Sequence, residues 1–268
     1  MENKKKLQIN NLIHNYESKD GEIVHALNNI NLSVNDGEFL AIVGSSGCGK
    51  STLLNIMAGM IKPTKGEILI DGETFTFNKH KIGYISQSDT LLPWRKIIDN
   101  VAIGLEIEGV NKKERHEIAR ELMESSGLSG FEDKYPYELS GGMRKRAIII
   151  RALATDPEII FMDEPFGPLD VFTKELLQDE ILKIWEKRKN TIVYITHDIG
   201  EAITLADRII LMSYRPSNIK SKYIVEIPRP RDIKEIKHNY RFIELEKDIW
   251  EDIKNEVLKA KEEEMISI

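Results

Sequence analysis

The sequence predicts an α/β fold with a mostly parallel sheet and an inserted helical segment, on three observations. Strand-like runs, EIIFMDE, TIVYIT and RIILMS, are separated by helix-like stretches such as TKELLQDEILKIWEKRK, and such alternation implies parallel strands. A glycine-rich loop, GSSGCGKST, joins the apolar run EFLAIVG to the helix-like STLLNIMAGM. Between Leu91 and Leu153 the character changes, and NKKERHEIARELMESSG sets Ile118, Ala119, Leu122 and Met123 on one helical face.

Taken in order, residues 7–43 hold short, partly alternating segments (LQINNLIHNY, ALNNINLSV, GEFLAIVG) separated by Asp-Gly and Asn-rich breaks. These are expected to be strands and turns. KGEILIDGE and KIGYISQ add strands with glycine turns before the helical insertion, and strands return after it. Beyond Asp232 the tail is charged, and Ile249, Ile253 and Val257 recur every fourth residue. That spacing predicts a surface helix packed on the core, with a structural role. The expected organisation is a main domain over 7–232, a helical subdomain over about 91–153 inserted in it, and a helical tail over 233–268.

At 268 residues, 41% hydrophobic and 31% charged, the composition is that of an ordinary globular protein. The net charge of −6 gives no electrostatic footprint for nucleic acid. Cys48 is the single cysteine, which excludes an intrachain disulfide or a cysteine metal cluster. Inside the glycine loop it is expected to be a small residue that fits rather than a redox switch. MENKKKLQIN is basic but lacks the apolar stretch of a secretory signal. No uncharged apolar run approaches the roughly 20 residues of a membrane span, so a cytoplasmic location is expected, with any membrane role exercised through a partner.

Gly44 to Ser51 fits the G-x-x-x-x-G-K-[ST] pattern and lies between a strand and a helix. Gly44, Gly47 and Gly49, with Ser45, Ser46 and Cys48 between them, let backbone N–H groups turn inward around phosphate oxygens. Lys50 brings a point charge to the outer phosphates, and Ser51 a hydroxyl for Mg²⁺. The chain is therefore expected to bind a nucleoside triphosphate. IIFMDE supplies two carboxylates at a strand end. Asp163 is expected to hold Mg²⁺ through a water, leaving Glu164 as the general base for an attacking water.

Gln87 and His197 follow the strands KIGYIS and TIVYIT. Each is either a surface cap or, at the phosphate edge of the sheet, a catalytic group: Gln87 sensing Mg²⁺ or water, His197 contacting the γ-phosphate. Further along, LSGGM opens an apolar helical run. Ser140 is an expected N-cap, and the first-turn N–H groups form an anion site.

In family order, GSSGCGKST, YISQ, LSGGM, IIFMDEP, FGPLD and ITHD make residues 7–215 resemble the ATP-binding subunit of an ABC transporter. The resemblance implies a P-loop NTPase core with an antiparallel β subdomain and an inserted α-helical subdomain. It also implies a head-to-tail dimer, in which Ser140, Gly141 and Gly142 grip the γ-phosphate of ATP on the partner subunit and Asp170 lies at the interface. Tyr16 would stack on adenine, and Thr52 would add a hydroxyl to the α-phosphate. Two departures stand out: Lys145 where glutamine is frequent after the signature, and Pro168 where alanine is common.

Among ABC ATPases, LLPWRKIIDNVAIGL, LSGGM, DEPF and SYRPSNI…VEIPRPRD resemble the nitrate, sulfonate and taurine importer group. In that group the segment after Gln87 receives a coupling helix of the membrane subunit, so Pro93 and Trp94 are expected to touch it. The alternative for Trp94 is a core aromatic of the insertion. Implied partners are a second ATPase subunit, transmembrane permease subunits and, indirectly, a solute-binding protein, with the chain peripheral on the cytoplasmic face of the membrane. A soluble ABC ATPase without a transport role, such as an iron–sulfur assembly component, is the rival reading.

Overall fold

The computed structural model describes residues 4–76, 79–167 and 169–266; Pro168 lies outside the described residues. The chain forms two compact units, one of Met1–His80 with Lys189–Ile268 and the other of Lys81–Arg188.

The first unit begins with two long antiparallel strands, β1 (Lys5–Glu17) and β2 (Ile23–Asn35). Alternation places Leu7 and Ile9 of β1 inside, and a register shift at the exposed Asn11, which takes φ +49°, then turns Leu12 inward. In β3 (Phe39–Val43) all five residues are buried. A parallel strand covered on both faces needs such a continuous apolar run. The glycine loop follows and leads into α1 (Lys50–Met57), which buries Leu53, Leu54, Ile56 and Met57. β4 (Lys65–Ile70) and the short β5 (Glu73–Thr74) complete an antiparallel sheet in the order β2-β1-β4-β5.

The second unit opens with β6 (Ile82–Ile85) and continues through α2 (Ile97–Val101), α3 (Ile103–Ile107), α4 (Lys112–Ser125) and α5 (Gly141–Leu153). β7 (Ile159–Asp163) then pairs parallel to β6, with Met162 opposite Ile85, and α6 (Val171–Arg188) ends the unit. Asn111 caps α4 by accepting the Glu114 N–H at 3.1 Å. The α4 face expected from the spacing turns inward: Ala119 and Met123 are buried, Ile118 and Leu122 half-buried.

Back in the first unit come β8 (Thr191–Ile195), α7 (Ile199–Leu205), β9 (Arg208–Met212), β10 (Ile219–Ile224) and α8 (Tyr240–Ile266). β9, β3 and β8 run parallel in that order, and β10 is antiparallel outside β9. Ile249 anchors α8 with no exposure. Its Asp252 accepts from Ser221 Oγ at 2.7 Å and Tyr223 Oη at 2.5 Å, and its buried Glu256 accepts the Tyr214 N–H at 2.8 Å and pairs with Lys220 at 3.0 Å. Among the described residues no helix is long and apolar enough to cross a membrane.

Candidate functional site

The first unit carries the phosphate loop on the C-terminal end of β3. Gly49 takes φ +104°, and a Cβ there would lie 3.0 Å from Leu27 Cδ2, so both the backbone turn and the close approach require glycine. Lys50 is buried, and its Nζ donates to the carbonyls of Gly44 and Ser45 at 2.9 Å each. Those bonds fold the ammonium back over the loop. Ser45 Oγ is buried with no hydrogen-bond partner among the described residues. An orphaned hydroxyl beside an ammonium at a helix start fits a phosphate oxygen. Ser46, Gly47 and Ser51 are exposed along the same loop, and Cys48 is buried beneath it. Tyr16 is 41% exposed and its hydroxyl lies 3.1 Å from Thr52 Oγ1, which brings together the residues expected at the adenine and at the α-phosphate.

His197 leaves β8, the parallel neighbour of β3, at the same sheet edge. It is exposed, while the residues on either side of it are fixed. Thr196 donates its hydroxyl to the buried Glu201 carboxylate at 2.7 Å, and Tyr194 Oη donates to the same oxygen. Asp198 N–H binds Thr196 Oγ1, and the Asp198 carboxylate caps α7 at the Glu201 N–H, both at 3.0 Å. Burial, reinforced by the Glu201 carboxylate, pushes the Tyr194 phenol well up, so it stays a donor. The sequence alone did not single out Tyr194, Thr196 or Glu201. Their roles depend on a helix turn folding back onto a strand end.

The second unit gathers the other catalytic expectations. β6 and β7 are parallel neighbours, so Gln87 and the Asp163-Glu164 pair emerge at one edge. Gln87 Nε2 donates to Glu164 Oε2 at 3.2 Å. Asp163 is half-buried at the strand end, and burial together with its charge pushes the Tyr84 phenol up to about 12. Glu164 takes φ +42°. For a residue with a Cβ this left-handed conformation costs about 1–2 kcal/mol, and such strain concentrates at functional sites. Within this unit the Asp163 carboxylate and the Gln87 amide oxygen are hard oxygen donors, a type that suits Mg²⁺.

Ser140 caps α5 as expected, accepting the Met143 N–H at 3.3 Å, and Gly141 is exposed beside it. Gly142 is packed tightly: a Cβ would lie 2.7 Å from Thr173 Cγ2. Thr173 in turn donates its N–H and hydroxyl to Asp170 at 3.0 and 2.6 Å. Those bonds hold the Asp170 carboxyl below its ordinary range. The signature turn and the FGPLD turn are thus neighbours through one threonine.

Lys145, noted above only as a departure, is buried and donates to the carbonyls of Ser86 and Gln87 at 3.0 and 3.3 Å. Burial lowers its ammonium to about 8, against the pull of Asp89. Pro93 is exposed, and Trp94 is 71% exposed. The alternative of a core aromatic at Trp94 is therefore overturned: its indole ring lies in solvent at a turn ahead of α2.

The family profile described as ABC transporter matches residues 27–167. The chain is 47% identical to an uncharacterized ABC transporter ATP-binding protein of Methanocaldococcus jannaschii, over 96% of this chain and 94% of that one. It is 42% identical to the aliphatic sulfonates import ATP-binding protein SsuB of Bacillus cereus, covering 89% and 92%. To the taurine import ATP-binding protein TauB of Rhizobium johnstonii it is 41% identical, covering 87% and 91%. Its fold is similar to that of the dimeric ATP-binding cassette MJ0796 in a post-hydrolysis state with ADP and Pi, with a TM-score of 0.73, 33% identity, and coverage of 83% and 100%. A phosphate loop, a strand-end carboxylate pair and a capped signature helix, matched over nearly the full length of these relatives, lead to one conclusion: the chain belongs to the ABC transporter family, as an ATP-binding, ATP-hydrolysing subunit.

Proposed function

We propose that this chain powers an importer of small anions of the nitrate, sulfonate and taurine type. The observation that carries the reading is its identity of about 40% to sulfonate and taurine import subunits across most of its length. The soluble, non-transport alternative has no comparable support. The partners are a second copy of the chain, transmembrane permease subunits and, through them, a solute-binding protein, with the chain peripheral on the cytoplasmic face of the membrane. The exposure of Pro93 and Trp94 suits contact with a permease helix. The proposed organisation is an ATPase domain over 7–232 with its helical part at about 91–153, and a helical tail over 233–268.

In this reading the loop from Gly44 to Thr52 cradles the phosphates, and Tyr16 stacks on adenine. Ser51, Gln87 and, through a water, Asp163 would hold Mg²⁺, whose charge would offset that of the phosphates. Glu164 takes a proton from water as its oxygen attacks the γ-phosphorus and the bond to the β-phosphate oxygen breaks. His197 contacts the γ-phosphate from a loop made rigid by Glu201. Ser140, Gly141 and Gly142 bind the γ-phosphate held by the partner subunit, with Asp170 at the interface. Glu164→Gln tests the assignment: ATP binding is retained, and turnover falls roughly 10²–10⁴-fold. Steady hydrolysis by that variant would remove Glu164 as the base.

A further inference from the structure

Helix α5 does more than present Ser140 at its N-terminus. Its basic side chains seize the loop after β6 at successive points. Arg144 Nε binds Asp89 Oδ2 at 2.8 Å, and Arg151 donates to the Thr90 carbonyl at 2.7 Å and to the Thr90 hydroxyl. Between them, Lys145 reaches the backbone of Ser86 and Gln87. Asp89 is thus the charged group facing it from that loop, and Lys145 is only 5% exposed. The same Gln87 places its amide against Glu164.

We infer that Lys145 is a positioning residue for hydrolysis: by holding the Ser86 and Gln87 carbonyls it fixes the Gln87 amide against the Glu164 carboxylate, and so joins the signature helix to the general base. This rests on the reading of Glu164 and Gln87 given above. An ammonium suits the task because it offers three donors and no acceptor, and its charge-assisted bonds to carbonyls are stronger than neutral ones. A glutamine at 145 would supply one amide nitrogen, together with an oxygen that needs a donor in a buried place. A methionine would fill the volume and leave both carbonyls without this partner. The path from Ser140 to Glu164 therefore runs along one helix, through one side chain and one loop residue. Movement of α5 on engaging a partner's nucleotide is transmitted to the Gln87–Glu164 contact.

The test is a double-mutant cycle on the purified full chain, read as steady-state ATP hydrolysis with Mg²⁺-ATP. Lys145→Met should lower kcat roughly 10- to 100-fold, the scale for a displaced catalytic group. KM for Mg²⁺-ATP should change much less than kcat, because the phosphate loop is untouched and Gln87 is only one of the groups proposed to hold the metal. Lys145→Gln should recover part of the loss. In a Gln87→Ala background both Lys145 substitutions should have little further effect, since the group they position is gone. A merely structural lysine would instead shift thermal stability and multiply with Gln87→Ala. Unchanged kcat in Lys145→Met, or additive losses in the cycle, would overturn the proposal. If Lys145→Met fails to fold, the Lys145→Gln arm alone decides: a kcat loss that vanishes in the Gln87→Ala background supports the inference, and one that persists overturns it. Steady hydrolysis by Glu164→Gln would remove the base assignment and leave the Lys145–Gln87 cycle readable by itself.

Discussion

At Cys48, burial and charge pull in opposite directions. The thiol is fully buried, and burial raises its pKa more than the nearby Lys50 ammonium lowers it. At neutral pH it stays protonated and serves as a small apolar residue under the loop. Native protein should therefore resist a thiol reagent at pH 7.5 for as long as it stays folded, whereas guanidinium-unfolded chain reacts at once. Rapid modification of the native chain would contradict this reading. Glu164 is the opposite case: its backbone takes a left-handed conformation that glycine or asparagine would adopt at lower cost, which suits a position kept for the role proposed for its side chain. The phosphate loop and the Asp163-Glu164 pair were legible in the sequence because each is contiguous and sits at a strand end. Lys145 was not, because its partner carbonyl lies 59 residues away, and nothing local to either segment signals the pairing.

At the level of elements, α5 and α6 meet where Gly142 faces Thr173. Alanine at 142 would overpack the contact at a cost of about 1–3 kcal/mol, more than the up to about 1 kcal/mol that alanine gains over glycine in a helix. Gly142→Ala should therefore lower the urea midpoint. Thr173→Ser removes the offending methyl and keeps the hydroxyl for Asp170, so in that background Gly142→Ala should become neutral or stabilising. Destabilisation that persists in the Thr173→Ser background would mean that the clash is not the cause. The element pattern itself was readable: strand–helix alternation, the glycine turns and the α4 face all appear where periodicity puts them. The sequence could not show that Trp94 would be exposed, since an aromatic in an apolar segment has the same local signature on either side of a surface.

For the whole molecule, the proposed second copy makes a direct demand. The Glu164→Gln chain should be a monomer by light scattering without nucleotide and a dimer with Mg²⁺-ATP. Ser140→Arg in the same background should abolish the dimer, because bulk at the signature N-terminus blocks a partner's phosphate. A monomer under all conditions would overturn self-association of the isolated chain. In the dimer expected with Mg²⁺-ATP, hydrolysis would separate the copies, since one polyanion becomes two that repel, and a membrane partner could draw on that motion.

The docking of α8 bears on how far this protein can be trimmed. Lys220, Ser221 and Tyr223 of β10 all spend their polar groups on Asp252 and Glu256 of α8. Cutting the chain at 232, where the ATPase motifs are complete, would strip those groups of their partners and uncover an outer strand that pairs readily with other strands. The shortened cassette should keep its nucleotide chemistry and lose solubility, read as aggregation by light scattering, because the outer strand β10 could then pair edge to edge with a strand of another molecule.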